Sequence, residues 1–233
     1  MEPDEYNRMD QVEADMWWYR ALHARVLDAL AGAPRPILDA GCGTGGLLTL
    51  LRGDNAYGLE WNAQAARRAA TKSGHPVVRG SVNEPPFATA SFGAVVLADV
   101  LCHAAVDPAR ALADIHRVLR PGGRLIVNMP AFRALMSHHD ARVHNARRLN
   151  ARETRAMLES AGFRVLRLFY WNSLLLPVMI AHRKLTARSP DRSDVAAFPP
   201  WLDRMLYAMT EFERRLRIPL PAGGSVLAIA ERA

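Results

Sequence analysis

The run Ile37-Leu38-Asp39-Ala40-Gly41-Cys42-Gly43-Thr44-Gly45-Gly46 concentrates the most specific chemistry in the chain. Glycines at 41, 43 and 45 follow an apolar, strand-like stretch and open a helix, which allows a tight turn and close approach of backbone to a ligand. Gly41, Gly43 and Gly46 also satisfy the G-x-G-x-x-G spacing of dinucleotide sites, a weak signal alone. Asp39 discriminates. It stands two residues before the first glycine, where a carboxylate repels a pyrophosphate at the helix N-terminus. A phosphate-free, cationic nucleoside such as S-adenosyl-L-methionine, with its ammonium and sulfonium, is attracted there instead. A loop or capping role for Asp39 is the plainer alternative.

Glu60 closes the second expected strand, about twenty residues on, where a carboxylate can accept both ribose hydroxyls. It indicates a nucleoside without choosing the cofactor. Trp61 can lie against adenine or simply pack. On the acceptor side, His103 lies four residues beyond Asp99 at the expected mouth of the cleft. His139 with Asp140, and His144, form a second group. Histidine titrates near neutrality and suits a general base, although each of these could equally cap or orient. His138, His139, Asp140 and His144 have no fixed zinc spacing, so no metal is expected. Arg147 and Arg148 could hold an anionic group of the acceptor or lie in solvent. Trp17, Trp18 and Tyr19 could form a lid that excludes water, or pack a helix on the sheet.

The elements that must position these residues follow from periodicity and breakers. A helical segment is expected from Asp4 to Leu30, with Trp18, Leu22, Val26 and Leu30 on one face and Pro34 and Pro36 ending it. Strands are expected at Pro36–Ala40, Ala56–Glu60, Pro76–Arg79, Phe92–Asp99, Gly123–Met129, Arg164–Trp171 and Ser225–Ala230. Helices are expected at Gly45–Arg52, Asn62–Lys72, Pro108–Leu119, Ala151–Ala161 and Pro199–Leu216. Residues 131–150 lack a clean period, 172–186 are apolar around Pro177, and 187–197 read as a polar linker. Strands alternating with helices through short connections predict βαβ units and a parallel sheet covered on both faces.

The chain has 233 residues, 50% of them hydrophobic and 23% charged, which suits one α/β domain with a sizeable core. Two cysteines, Cys42 and Cys102, without a CxxC pair suggest neither a disulfide framework nor a zinc site and fit a reducing cytosol. The acidic first residues lack an apolar core, so no signal peptide is expected, and no apolar run is long enough to span a membrane. The net charge of +7 describes either a solvated surface or an anionic partner, a phosphorylated substrate or an anionic membrane face. No nucleic-acid recognition motif is present.

The motifs together resemble those of class I S-adenosylmethionine-dependent methyltransferases. Ile37–Gly46 is similar to their first motif, Gly58-Leu59-Glu60 to their ribose-binding strand end, and Arg79-Gly80-Ser81-Val82-Asn83-Glu84-Pro85-Pro86-Phe87 to the stretch that follows the third strand. Ser91-Phe92-Gly93-Ala94-Val95-Val96 and Arg117-Val118-Leu119-Arg120-Pro121-Gly122-Gly123 resemble the later strand and turn motifs. The set covers about residues 36–130 in order. Trp17-Trp18-Tyr19-Arg20, Asp99-Val100-Leu101-Cys102-His103, Ser137-His138-His139-Asp140, Arg147-Arg148 and Tyr170-Trp171-Asn172 narrow the likeness to a bacterial type 11 subgroup. The resemblance implies a Rossmann-like α/β/α sandwich with a seven-stranded, mostly parallel sheet whose last strand is antiparallel. It implies S-adenosyl-L-methionine as cofactor and S-adenosyl-L-homocysteine as product, held by Asp39, Gly41, Cys42, Gly43, Gly45, Glu60, Trp61, Ser81, Val82 and Asp99. Ser81 stands where the family has an adenine-contacting Asp, so the backbone at Val82 becomes the alternative contact.

These readings make the chain a single domain: a helical lid over 1–34, a cofactor-binding core over 36–130, substrate-side insertions over 131–222 and a last strand over 223–233. The acceptor is a small or lipid-like molecule, approached by His103, His139, His144, Trp18, Tyr19, Arg147 and Arg148. Leu174–Ile180 and the helix at 199–216 would cover the sheet, form a dimer interface, or touch an anionic membrane together with Arg183, Lys184, Arg188 and Arg192. The expected location is cytoplasmic, with the inner membrane face as an option, and the expected state a monomer or homodimer. A nicotinamide-dependent oxidoreductase and a non-catalytic binding module are the competing readings.

Overall fold

The computed structural model describes residues 3–186, 198–216, 218 and 220–233, with the side chains of 3–5, 138–139 and 182–186 left aside. The elements run α1 (Pro3–Val12), α2 (Trp17–Leu30), β1 (Ile37–Ala40), α3 (Gly46–Leu50), β2 (Ala56–Glu60), α4 (Ala63–Ser73), β3 (Val77–Arg79), β4 (Phe92–Ala98), α5 (Pro108–Val118) and β5 (Leu119–Pro130). After them come a 3-10 turn (Arg133–Leu135), α6 (His138–Arg142), α7 (Ala151–Ser160), β6 (Phe163–Trp171), α8 (Leu176–Thr186), α9 (Pro200–Leu216) and β7 (Ser225–Arg232).

The seven strands form one sheet in the order β3-β2-β1-β4-β5-β7-β6. The first five are parallel, and β7 runs antiparallel between β5 and β6. The expected architecture is therefore the observed one. β1 and β4 read as continuous apolar runs because helices cover both of their faces, and both strands are buried along almost their whole length. One face carries a core with Leu112 and Ile115 of α5 and Leu158 of α7; the other packs Leu22, Val26 and Leu30 of α2, Leu48 of α3 and Ala69 of α4.

Helix starts follow capping chemistry. Asn62 accepts from the backbone of Gln64 and Ala65, Asp107 does the same ahead of Pro108, and Asn150 forms a reciprocal capping box with Glu153. The strand order changes direction at β1 and β4, whose carboxyl ends open the cleft where α/β sheets bind ligands.

Several expected boundaries shift. The single N-terminal helix is two, α1 and α2, separated at residues 13–16. β5 starts at Leu119, and its register against β4 jumps from Phe92↔Leu119 to Ala94↔Arg124, so Pro121-Gly122-Gly123 forms a bulge within the strand. The apolar stretch around Pro177 is the helix α8, with Pro177 in its first turn, where a missing N–H costs nothing. The expected linker 187–197, with Arg188 and Arg192, lies outside the described residues, as do the side chains of Arg183, Lys184, His138 and His139.

Candidate cofactor and acceptor site

The glycine loop is shaped by what packs against it. Gly45 has φ +91°, and a Cβ there would stand 2.8 Å from the Ala69 Cα of α4, so a side chain would meet backbone. Gly43 also has positive φ, and the Met9 side chain of α1 occupies the space beside it. The loop stays tied to the sheet through Gly41 N–H and Cys42 N–H, both donating to the Leu59 carbonyl. The Cys42 thiol points away from the cleft: its Sγ lies 2.8 Å from where a Gly58 Cβ would be, in the core. Cys42 thus contributes only backbone, because β2 has no side chain at Gly58 to fill that space.

Three buried carboxylates surround this loop. Asp39 is fully enclosed in β1, and its carboxyl is pushed up to about 7 by burial, then by Glu60 and Glu13. Glu60 accepts from Gly43 N–H (3.0 Å), Asn62 N–H (2.8 Å) and the Tyr6 hydroxyl (3.1 Å). Glu13 accepts from the Thr44 hydroxyl at 2.7 Å, and Lys72 of α4 bonds both Asp10 and Glu13. Burial, then Glu60, raises the Tyr6 phenol, so it remains a protonated donor. Concentrated negative charge in a desolvated cleft favours a cation and opposes a phosphate. The cradle and its carboxylates fit a nucleoside carrying positive charge.

Within residues 1–34 the cover comes from α1, and Trp17, Trp18 and Tyr19 follow the alternative reading of helix packing. Tyr6, Met9 and Glu13 of α1 cover the glycine loop. Trp17 is buried at the start of α2, Trp18 packs 6.2 Å from Trp171, and Tyr19 meets Trp18 edge-on. Aromatic bulk found burial on neighbouring helices and β6, while α1, with little apolar content, took the cover. Trp61 is 70% exposed and packs on no described aromatic ring. The Ser81 hydroxyl accepts from Asn83 N–H, closing a turn, and Val82 is buried in the core. Asn83 is a residue the sequence reading missed. Its amide donates to the Ala105 carbonyl and accepts from Asp107 N–H, stitching the loop after β3 to the loop after β4.

At the carboxyl end of β4, Asp99 sits at φ +54°, a strained conformation for a residue with a side chain. Its carboxylate accepts from the Asn128 amide at 2.8 Å, and Asn128 in turn accepts from the Trp171 indole at 2.8 Å. Burial lifts the Asp99 carboxyl to about 7, against the lowering pull of Asn128 and Arg148. His103 follows one turn later; its Nδ1 is buried without a hydrogen-bond partner, and burial lowers its pKa. His144 lies in a positive-φ turn whose carbonyl accepts from Ala104 N–H, next to this loop.

Arg147 and Arg148 both bond groups of the chain itself. Arg147 donates to the His103 carbonyl at 2.6 Å, bracing the loop after β4. Arg148 forms a bidentate, buried pair with Asp140 at 2.9–3.2 Å and bonds the Ala131 carbonyl. Burial pushes the Asp140 carboxyl up, but Arg148 and its other donors hold it below the usual range. A neutralised guanidinium in the interior is a brace, so Arg148 does not serve the expected anion-binding role; Arg147, partly exposed, has no carboxylate partner among the described residues. The Arg148 pair also removes Asp140 as a partner for a histidine base. Among the described residues, no cluster of His, Cys, Asp and Glu has the form of a metal site.

Residues 38–127 match the family model described as a methyltransferase domain. That match spans the segment from β1 into β5, which carries the glycine loop, Glu60 and Asp99. It is 36% identical over 134 residues to a demethylmenaquinone methyltransferase of Thermus thermophilus, covering 53% of this chain and 59% of that protein. It is 30% identical over 145 residues to the O-methyltransferase cnsE of Penicillium expansum, covering 56% and 52%. The chain thus spans between one half and two thirds of the length of these two curated relatives. A solved geranyl diphosphate C-methyltransferase from Streptomyces coelicolor, 17% identical, shares the fold with a TM-score of 0.63 over 92% of this chain and 79% of that one.

Proposed function

We propose that the protein transfers a methyl group from S-adenosyl-L-methionine to a small or lipid-like acceptor. The observation that carries this reading is the anionic cradle: Asp39, Glu60 and Glu13, all buried, grouped at a glycine loop. When bound, the cofactor supplies a sulfonium-activated methyl group. The protein's part is then alignment, exclusion of water and removal of a proton. Glu60 would take the ribose hydroxyls in place of the Tyr6 phenol, and Asp39 would balance the cationic part. Asp99 is the proton acceptor of this reading: it is fixed by Asn128 at the carboxyl end of β4 and titrates near neutrality. His103, neutral and with an unpartnered Nδ1, is the second reading.

The lipid-like acceptor draws support from two relatives whose names specify isoprenoid-type acceptors, a demethylmenaquinone and geranyl diphosphate. Calorimetric titration with S-adenosylmethionine, S-adenosylhomocysteine and NADH tests the cofactor. Both adenosyl compounds should bind and NADH should not, and Asp39→Ala should weaken S-adenosylmethionine by about tenfold or more. Tight NADH binding, or unchanged affinity in Asp39→Ala, would overturn the assignment.

A further inference from the structure

The outward face of α9 takes no part in the site described above. Trp201, Met205, Ala208, Phe212 and Leu216 form one stripe along it. Trp201 is 67% exposed and Phe212 58%, so of the expected alternatives this stripe does not cover the sheet and points outward. The inward side of the same helix carries buried polar groups. The Thr210 carbonyl accepts from Arg25, and Glu213 faces Arg25 while accepting from the backbone of Ser173 and Leu174. These contacts, with Tyr207 packed against the core, hold the helix to the body.

Charge is sorted in the same way. All three carboxylates of α9 turn away from the stripe: Asp203 caps the first N–H of α2, Glu211 is held by Arg214 and Arg215, and Glu213 is buried. The exposed charged residues flanking the stripe are Arg204 and Arg215. Ser173 and Leu174 N–H donate to Glu213 and tie the inward side of α9 to the turn ahead of α8, and on that segment Leu174, Val178 and Ile180 are also exposed.

We propose that α9, with the start of α8, is a docking face for an anionic lipid surface. An apolar stripe with aromatic anchors, rimmed only by arginines whose stems can reach upward, matches a bilayer interface with negative headgroups. A second copy of the chain fits less well. Two-fold pairing of this face offers Arg204 no carboxylate partner on the stripe, since Glu211 already holds Arg215. The proposal does not rest on the methyl donor, and cofactor calorimetry fails or succeeds independently of it.

Sedimentation of the full chain with vesicles decides it. The protein should pellet with phosphatidylglycerol–phosphatidylcholine vesicles, should do so less as salt is raised, and should stay in solution with pure phosphatidylcholine. Phe212→Glu should lower the partition coefficient by about tenfold or more, with S-adenosylmethionine affinity unchanged as the sign of an intact fold. The paired Arg204→Glu and Arg215→Glu variant, altered only at exposed positions, should also lose anionic binding and decides the matter should Phe212→Glu not fold. Absence of vesicle binding, or binding untouched by these variants, would overturn the proposal. So would a concentration-dependent dimer that Phe212→Glu dissolves while vesicle binding stays the same.

Discussion

Asp39 is a buried carboxyl and Asp99 a partly buried one, and desolvation raises each to about 7. The sign of the stability effect follows. Below about pH 4 both folded and unfolded chains hold these protons. Between about pH 4 and 7 the unfolded chain releases them first, so each residue takes stability away across that window and the loss is complete above it. Asp39→Asn should therefore raise the melting temperature of the cofactor-free protein near pH 8, by about 2–4 °C for each kcal/mol relieved, with little gain near pH 4. Calorimetric scans at the two pH values check this. For Asp99 as proton acceptor, turnover should fall as pH drops below about 7. Asp99→Asn should cut kcat by roughly 10²–10⁴ and abolish that limb with cofactor affinity preserved; a limb that survives there and vanishes in His103→Asn moves the role to the histidine. The placement of Asp39 and Glu60 beside the glycine loop was legible in the sequence because it depends on position along one βαβ unit. The bracing role of Arg148 was not, because a sequence shows a cation without showing whether its charge is already answered eight residues away.

The elements divide in the same manner. β1, β2, β4, α4 and α5 were legible because buried parallel strands and capped helices leave local patterns. α1 was not separable from α2: no glycine or proline stands between Val12 and Trp17, and its reason for stopping is tertiary. Its contacts, Tyr6 to Glu60 and Glu13 to Thr44, join residues far apart in the chain. The outward turn of α9 was hidden for a related reason. Its apolar stripe looked like a core face, and only the buried Arg25–Glu213 pairing shows which side faces in. Between β5 and α7 the insertion lacks periodicity because one ion pair organises it. Asp140 gathers Ser137, Asn145 and Arg148 around a single carboxylate. Removing one partner strands the other charge in the interior, so Arg148→Ala should destabilise the fold by about 3–5 kcal/mol in urea denaturation. A change below about 0.5 kcal/mol would show the pair to be as dispensable as one at the surface.

At the scale of the molecule, the sheet separates two tasks. β1, β2 and β3 present the glycine loop and the ribose-side carboxylate, while β4, β5 and β7 present the reacting edge. Among the described residues no helix is long and apolar enough to cross a membrane. One feature of the interior links α9 to the chemistry. The Thr210 carbonyl of α9 holds Arg25, Arg25 lies 4.6 Å over the Trp171 ring, the Trp171 indole holds Asn128, and Asn128 holds Asp99. The proposed lipid-facing helix and the proposed proton acceptor thus hang on a single buried thread, like a bell-pull and its bell. Vesicles that load α9 should then shift the acidic limb of turnover, measured as a change in its midpoint on adding anionic lipid. A midpoint that stays fixed while the protein is fully bound would mean the thread holds the two ends together without carrying any message between them.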